Sequence, residues 1–503
     1  MLIRNPKYQR IYFFVKEHEK IAATLLFLLF TAAGNLLSFF LPMDDGAFLS
    51  FLGVLSFLEF VLFLVLNARM TKTLFNYASV FLSVLFLFNF GQLMIYTFFR
   101  PIYSHVRFLV LMPAADAAYG FRFMHAAFMA VCLGALIGAG CVKGGGEKAI
   151  SEKLTLIREN GERFAQSILL LTFPVKIAID IACVVISFAD GGQAARTWLN
   201  EFPNVLVYYA KASLVGFALW IVATREQPKK QLGIFVFIEC YILLMMVSGI
   251  RSENVGYLLV LLFVFMVNRK KKIRILTVLL SAVILLFVMV FIITVGEFRI
   301  VEEKNIQSFA EMFRYYLTEK NIVLYFFDIC GDTGYTAQCV LNKWLPEHAP
   351  SYGNAYYLGI LAVIPNIPGV FTFPGDMTEA SYFALKLQQN DALYAGYKNI
   401  GGSLLGESFF NFGLLGGCLF AILIGVLAGI ISKKMMQGFA EKNYIKLSMV
   451  LPASFAMIYW VRDYFGGGIR EVVWSPILCC LIPLFILKRF VFPKTPKSKR
   501  ETK

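Results

Sequence analysis

Apolar runs long enough to cross a membrane dominate this chain, and short polar connections separate them. A crossing helix needs about 20 apolar residues, because the hydrocarbon core of a bilayer is about 30 Å thick. Residues of hydrophobic type make up 58% of the chain and charged residues 16%, whereas about 25% of residues are charged in soluble domains. The sequence therefore predicts an all-α polytopic membrane protein with about 12 transmembrane helices. The twelve runs lie near residues 21–41, 47–67, 74–99, 120–142, 165–188, 203–224, 232–249, 253–268, 275–296, 412–432, 447–465 and 472–488.

The placement of the basic residues predicts the orientation of these spans. If the N-terminus is cytoplasmic, the connections on the inner side contain 31 of the 47 Lys and Arg residues. An excess of Lys and Arg in cytoplasmic connections is the rule in membrane proteins. The net charge of +15 is thereby explained by topology and contact with membrane lipid, and we expect no nucleic acid partner. Both termini are predicted to be cytoplasmic.

The residue types that hold metals and cofactors are sparse. Nine Cys residues include no CxxC pair, and the four His residues are scattered. No Gly-rich phosphate loop follows a strand pattern, so nucleotide binding is not supported. We therefore predict no metal and no cofactor. Cys330 and Cys339 could form a disulfide in an oxidising compartment, and the sequence leaves this open.

Residues 297–411 differ from the rest of the chain because they mix charged and aromatic residues with Pro and Gly. A connection of this length is typically functional or disordered, and its aromatic content argues against disorder. The predicted topology makes it one large extracytoplasmic loop between spans nine and ten. The chain then divides into an N-terminal bundle (1–296), this cap, a C-terminal bundle (412–488) and a basic cytoplasmic tail (489–503). Within the cap, residues 306–317 have the spacing of an amphipathic helix on the outer leaflet.

Several arginines are predicted to lie near the outer boundary of the membrane. A charge held beside apolar spans is costly and indicates a functional site. Arginine suits phosphate because its planar fork donates two hydrogen bonds and stays charged. We therefore predict an anion-binding set, with boundary anchoring in the lipid headgroups as the alternative. Its members are Arg251 in the turn between spans seven and eight, Arg299 and Arg314 in the cap, and Arg462 and Arg470 in the last outer turn.

Glu407 and Asn411 stand just before span ten. Their spacing of four places them on one helix face, and Gly402 and Ser403 precede them. Helix packing explains the glycines at 413–417 but not a carboxylate at this position. Glu407 is therefore our candidate for a general base or a hydroxyl-positioning group, with Asn411, Gly402 and Ser403 beside it on the acceptor side.

Charged residues also occur inside the predicted spans. Asp180 and Lys211 lie at matched depth in spans five and six, so they could pair, and Lys176 is one helical turn from Asp180. Such a pair could relay protons or ions through a transporter, or it could be a structural pair that neutralises itself.

Two motifs resemble a known family. Gly249-Ile250-Arg251-Ser252-Glu253 is similar to the outer-turn Gly-x-Arg motif of bacterial O-antigen or capsular oligosaccharide repeat-unit polymerases of the Wzy type. The segment from Gly402-Ser403 through Glu407 to Asn411-Phe412-Gly413 resembles the small-residue, acidic, Asn-Phe-Gly segment of the same family. The arrangement of about a dozen spans with one large outer loop is similar as well.

The resemblance implies a membrane glycosyltransferase without a cofactor. Its substrates would be undecaprenyl-diphosphate-linked oligosaccharides at the outer face of the bacterial inner membrane, for O-antigen (lipopolysaccharide) or capsule. Arg251, Arg299 and Arg462 would stabilise the negative charge that grows on the leaving diphosphate, with Arg314 and Arg470 nearby, and Glu407 would act on the acceptor.

A flippase and a chain-length regulator would be partners of such an enzyme. The alternatives are a flippase or transporter of the lipid-linked oligosaccharide, an O-antigen ligase-like transferase, or a scaffold. Ligases usually use a His in the large loop, where this chain has only His348. The sequence leaves open the sugar, the linkage, the stereochemistry and the oligomeric state.

Overall fold

The computed structural model of the chain describes residues 19–40, 43–103, 108, 111–141, 157–248, 252–269, 275–298, 306–364 and 401–486. Within these ranges the chain is helical and contains no β-strand. The main helices are α1 (Glu19–Phe40), α2 (Asp45–Thr71), α3 (Tyr77–Phe99), α4 (Ala114–Cys141), α5 (Gly161–Asp190), α6 (Gly192–Glu201), α7 (Asn204–Ala223), α8 (Pro228–Met245), α9 (Ser252–Asn268), α10 (Ile275–Phe298), α11 (Ile306–Thr318), α12 (Ile322–Cys339), α13 (Asn354–Leu361), α14 (Leu404–Glu441), α15 (Tyr444–Trp460) and α16 (Phe465–Ile486).

Twelve of these helices coincide with the twelve predicted apolar runs. They are α1 to α5, α7 to α10 and α14 to α16. Eight helices in the described part of the chain are long and apolar enough to cross a membrane, namely α1 to α5, α7, α8 and α14. The prediction of an all-α protein with many spanning helices is thus confirmed in general. The count of twelve crossings and the large outer loop remain predictions.

The closest helix pair in the centre of the bundle is α4 with α14. A side chain at Gly425 would overlap the carbonyl group of Val131, and one at Gly134 would overlap that of Ile422. Small residues let helix backbones approach closely in a membrane, so these glycines bring the two helices into direct contact. This contact lies deeper in α14 than the 413–417 segment for which helix packing was predicted.

Gly413 has a different role from the glycines of that packing contact. Its φ of 69° and ψ of −169° interrupt the helical geometry of α14. Residues with a side chain rarely adopt this conformation, whereas glycine does so at little cost. The kink separates the first turns of α14, which contain Glu407 and Asn411, from the long apolar part of the helix.

Helix α12 lies directly against α3, although it belongs to the predicted outer loop. A Cβ atom at Gly91 would stand 2.5 Å from the Phe327 carbonyl oxygen, and one at Gly334 would stand 2.6 Å from that of Asn89. Beyond Cys339 the helix continues through a π-helical turn, Val340–Trp344. The bundle therefore has a tightly packed helix from the segment between α10 and α14.

Helix α11 stands where the sequence predicts an amphipathic helix. Its aromatic side chains pack on α10, with ring centroids 6.0 Å apart for Phe309 and Phe291 and 6.4 Å apart for Phe313 and Phe287. The apolar face of α11 is thus covered in part by a neighbouring helix. Its contact with the outer leaflet remains a prediction.

Candidate functional site

Glu407 joins three helices at the start of α14. Its side chain is fully buried. One carboxylate oxygen accepts hydrogen bonds from the indole N–H of Trp460, at 2.6 Å, and from the backbone N–H of Phe465, at 3.2 Å. Trp460 ends α15 and Phe465 begins α16, so Glu407 holds the start of α14 against the turn between those two helices.

Asn411 continues this anchoring one helical turn later. Its amide nitrogen donates to the carbonyl oxygen of Glu407, at 2.9 Å, and its amide oxygen accepts from the backbone N–H of Ala355, at 3.2 Å. Next to Ala355, the ring of Tyr356 lies 5.1 Å from that of Phe465. Asn411 thereby ties α13 to the first turns of α14.

Gly402 and Ser403 directly precede α14 and pack against the turn between α15 and α16. A Cβ atom on Gly402 would overlap the backbone of Asp463, so only glycine permits this approach. The Ser403 hydroxyl accepts from the backbone N–H of Gly406, at 3.2 Å, which caps α14. The same hydroxyl lies 3.4 Å from the side-chain oxygen of Asn89 in α3. Predicted acceptor-side residues and the last outer turn are therefore neighbours.

Arg462 is a half-buried cation in that turn. Its guanidinium carbon lies 5.8 Å from the centre of the Phe88 ring in α3, a cation–π arrangement that stabilises the charge by about 0.5–2 kcal/mol. Within the ranges that the structure describes, Arg462 forms no ion pair with a carboxylate. Its positive charge is held in place at the edge of the bundle, available to an anion.

A carboxylate pair that the sequence analysis missed lies close to Arg462. Asp328 and Asp332 are one turn apart in α12. Asp328 accepts from the hydroxyl of Tyr103, at 2.8 Å, and Asp332 accepts from the side-chain nitrogen of Gln92, at 2.9 Å. Burial and the charge of Asp328 raise the pKa of the Tyr103 hydroxyl. Two acidic residues four apart in an otherwise apolar segment were the signal that could have revealed this pair.

The thiol of Cys330 lies within electrostatic range of both Arg462 and Asp332. Burial raises the pKa of Cys330 to about 12, the charge of Arg462 opposes this rise, and the charge of Asp332 adds to it. Both charges therefore act on the same buried atom. We define the outer site by Gln92, Asp332, Gly402, Ser403 and Arg462.

The model of the O-antigen polysaccharide polymerase Wzy family matches residues 19–495 of the chain. The chain belongs to the O-antigen polysaccharide polymerase Wzy family. The match covers nearly the whole sequence and confirms the resemblance that the two motifs suggested. Wzy family members build O-antigen polysaccharide from repeat units by glycosyl transfer, and the apolar helices agree with a multi-pass membrane protein. Searches of curated proteins and of solved structures gave no match.

Two more of the arginines predicted for this Wzy polymerase, Arg470 and Arg314, are described, and they lie on different helices. Arg470 is half-buried and donates to the carbonyl oxygen of Ala362, at 2.8 Å, just after α13. Arg314 is exposed on α11. Arg251 and Arg299 lie outside the described residues. The structure thus brings Arg462 together with the 402–411 segment, whereas Arg470 faces α13 and Arg314 stands on a separate helix.

Four charged residues inside the Wzy bundle form two ion pairs, although not as predicted. Lys176 forms an ion pair with Asp180, at 2.9 Å, and Lys211 forms one with Glu253. The expected pairing of Asp180 with Lys211 is wrong, because the two residues face different partners across one cavity of about 40 Å³. A hydroxyl from Tyr241 also donates to Asp180, at 2.7 Å.

The predicted option of a disulfide between Cys330 and Cys339 is not realised. Both thiols are free. They belong to one helix and are nine residues apart, which corresponds to roughly 13 Å along the axis. A disulfide requires Cα atoms closer than about 7 Å, so the geometry of α12 rules out this bond.

Proposed function

We propose that the chain polymerises undecaprenyl-diphosphate-linked oligosaccharide repeat units at the outer face of the bacterial inner membrane, for O-antigen or capsular polysaccharide. A hydroxyl of one unit attacks the anomeric carbon of a chain held on a second lipid. The new glycosidic bond forms as the bond from that carbon to the diphosphate breaks. The diphosphate leaves with the electron pair, and the hydroxyl proton passes to a base. Family membership supports this function.

The proposal rests mainly on the surroundings of the Arg462 guanidinium. A half-buried guanidinium that forms no ion pair with any carboxylate of the described residues, beside the 402–411 segment, suits an anionic group of the substrate. Negative charge grows on the leaving diphosphate in the transition state, so a preorganised cation stabilises that state more than the ground state. Arg251, Arg299, Arg314 and Arg470 are proposed as further contacts along the lipid diphosphate.

Two carboxylates are candidates for the acceptor side. Glu407 is fully buried and holds two hydrogen-bond donors, which supports a role in positioning the 402–411 segment beside Arg462. Asp332 is half-buried and shares its surroundings with Arg462, which suits contact with a substrate hydroxyl. We propose Asp332 as the proton acceptor and Glu407 as a positioning residue, with base catalysis by Glu407 as the competing assignment.

The cellular setting follows from the charge distribution and remains part of the proposal. The basic connections favour cytoplasmic termini, which would put the cap of residues 297–411 on the outer side, where it would cover bound sugars. A flippase would deliver the repeat units to this side, and a chain-length regulator would act on the product.

The test uses cells without their own polymerase gene that express single variants. For Arg462→Ala and Asp332→Asn we expect glycan with one repeat unit and no ladder on a gel, at a normal protein level in the membrane. Arg100→Ala is the matched control, because Arg100 also stands over an aromatic ring, that of Tyr96, but is exposed at the end of α3. It should leave the ladder intact. Wild-type ladders from both site variants would refute the assignment.

A transporter or flippase is the alternative that the buried charges favoured. The charges in the described cavity neutralise each other in pairs, and its volume of about 40 Å³ is far below the roughly 300–1,000 Å³ of pockets for drug-sized ligands. If the protein were a flippase, its inactive variants would lose even the single repeat unit outside the cell. A ligase-like transferase would instead leave polymer on undecaprenyl diphosphate; its candidate residue, His348, is stacked on Trp344 with ring centroids 4.0 Å apart.

A further inference from the structure

One buried hydroxyl connects the start of α9 with the start of α16. Glu253 follows Arg251 by two residues, and Glu471 directly follows Arg470. The hydroxyl of Tyr257 in α9 lies 3.1 Å from a carboxylate oxygen of Glu253 and 3.2 Å from one of Glu471. The carboxylates of Glu253 and Glu471, which follow Arg251 and Arg470 closely in the sequence, therefore meet at the Tyr257 hydroxyl.

The number of donor hydrogens in this contact determines which of the two carboxyl groups is protonated. A tyrosine hydroxyl has one hydrogen, so it can donate to only one of two carboxyl groups, and the other must itself donate. Glu253 is paired with Lys211 and is therefore the ionised one. Glu471 is 2% exposed, and its second oxygen has no hydrogen-bond partner among the described residues. A buried carboxylate without a cation is costly, which places the proton on Glu471.

The other charged groups near this contact do not supply that cation. Arg470 bonds to the carbonyl of Ala362. Lys176 on α5 is engaged by Asp180. Lys211 on α7 is engaged by Glu253 and stands 5.0 Å from the centre of the Tyr208 ring. Each of these cations already has a closer partner than Glu471.

We propose that Glu471, Tyr257, Glu253 and Lys211 form a neutral hydrogen-bonded bridge, with the proton on Glu471, that fixes the start of α9, which follows Arg251 in the sequence, relative to the start of α16, which contains Arg470. The inference rests on the proposed function, because it makes the four residues positioning residues for arginines that contact diphosphate. The adjoining cavity of about 40 Å³ has room for about three water molecules and none for a diphosphate. The bridge therefore acts through the arginines and not by touching substrate.

The first experiment removes the bridging hydroxyl. Tyr257→Phe keeps the ring, which packs 5.1 Å from that of Phe455. With purified protein and a lipid-diphosphate-linked repeat unit, we expect kcat to fall about tenfold while KM changes by less than about threefold, as for a loss of transition-state contacts. Tyr241→Phe is the matched control, because its hydroxyl bonds to Asp180 of the neighbouring Lys176–Asp180 pair and not to Glu253 or Glu471, and it should keep the wild-type kcat.

The second experiment tests the proton on Glu471. Glu471→Gln stays neutral and keeps a donor toward Tyr257, so it should restore the kcat that Glu471→Ala loses. Glu253→Gln removes the anion that pairs with Lys211, and it should lose activity. An active Glu253→Gln together with an inactive Glu471→Gln would overturn the proton assignment, and a wild-type kcat for Tyr257→Phe would overturn the bridge.

These results separate the bridge from the proposed function. If Arg462→Ala abolishes polymerisation while Tyr257→Phe is fully active, only the bridge is wrong. If Arg462→Ala is fully active, the proposed diphosphate site is wrong whatever the bridge variants do.

Discussion

Two groups of charged residues lie toward the predicted outer side, and they differ in their partners. In the cavity between α5, α7 and α9, Lys176 is paired with Asp180 and Lys211 with Glu253. In the turn between α15 and α16, Arg462 has an aromatic ring beside it and no ion pair in the described part of the chain. Charges within a membrane need a counter-charge or a path to water. The charges of the cavity are therefore neutralised within the protein, whereas the charge of Arg462 in the turn is suited to an anion from outside the protein.

The largest effect is expected from breaking a pair in the cavity. Lys211→Ala leaves the carboxylate of Glu253 buried without its cation, which costs about 3–5 kcal/mol of folding free energy. The melting temperature of the detergent-purified variant should fall strongly, and adding Glu253→Gln should restore part of it. An unchanged melting temperature for Lys211→Ala would remove the distinction between the two groups.

A smaller loss is expected from the close contact that builds the outer site. Gly402→Ala puts a Cβ atom into the backbone of Asp463, and such overpacking costs about 1–3 kcal/mol. The displaced turn should also shorten the glycan ladder. Gly401→Ala is the control, since its Cβ atom would lie 3.4 Å from the Arg462 carbonyl oxygen. Equal ladders from the two variants would show that the contact at residue 402 is unimportant.

Glu407→Gln separates positioning from base catalysis. Glutamine can still accept the hydrogen bond from Trp460, so we expect a stability loss of about 1–2 kcal/mol and a polymerisation rate within about tenfold of wild type. A general base contributes about 10²–10⁴-fold to the rate. A loss of that size in a folded Glu407→Gln protein would return the base assignment from Asp332 to Glu407.

The smallest effect is expected at Arg314. Its side chain is exposed on α11, and exposed substitutions usually change stability by less than about 0.5 kcal/mol. Arg314→Ala should lower the polymerisation rate by less than about threefold, measured with the same lipid-linked substrate. A loss as large as that of Arg462→Ala would mean that exposed and half-buried arginines contribute alike.

The helices were predictable because hydropathy and helical length are properties of short segments. The run at 253–268 became α9, Ser252–Asn268, and Glu407 and Asn411, four residues apart, both lie in the first turns of α14. The start of α14 was missed by eight residues. The predicted span began at 412, whereas the helix begins at Leu404 after the Ser403 cap. Hydropathy does not detect a polar first turn that is buried by neighbouring helices.

The partners of the charged residues could not be predicted, because they depend on the rotation of each helix and on distant segments. Matched depth suggested Asp180 with Lys211, but α9 turns Glu253 toward Lys211 instead. Asp332 was likewise overlooked. Its position near Arg462 arises only when α12 packs on α3, and the sequence alone does not predict that contact.

The most direct test of the unpaired arginine is the rate of polymerisation by purified Arg462→Ala with a lipid-diphosphate-linked repeat unit. Because no carboxylate in the described ranges loses an ion-pair partner, the melting temperature should stay close to that of wild type, while kcat/KM falls about 10²–10³-fold, as for the loss of a preorganised transition-state contact. Arg100→Ala should keep the wild-type kcat/KM. A wild-type kcat/KM for Arg462→Ala would contradict the account.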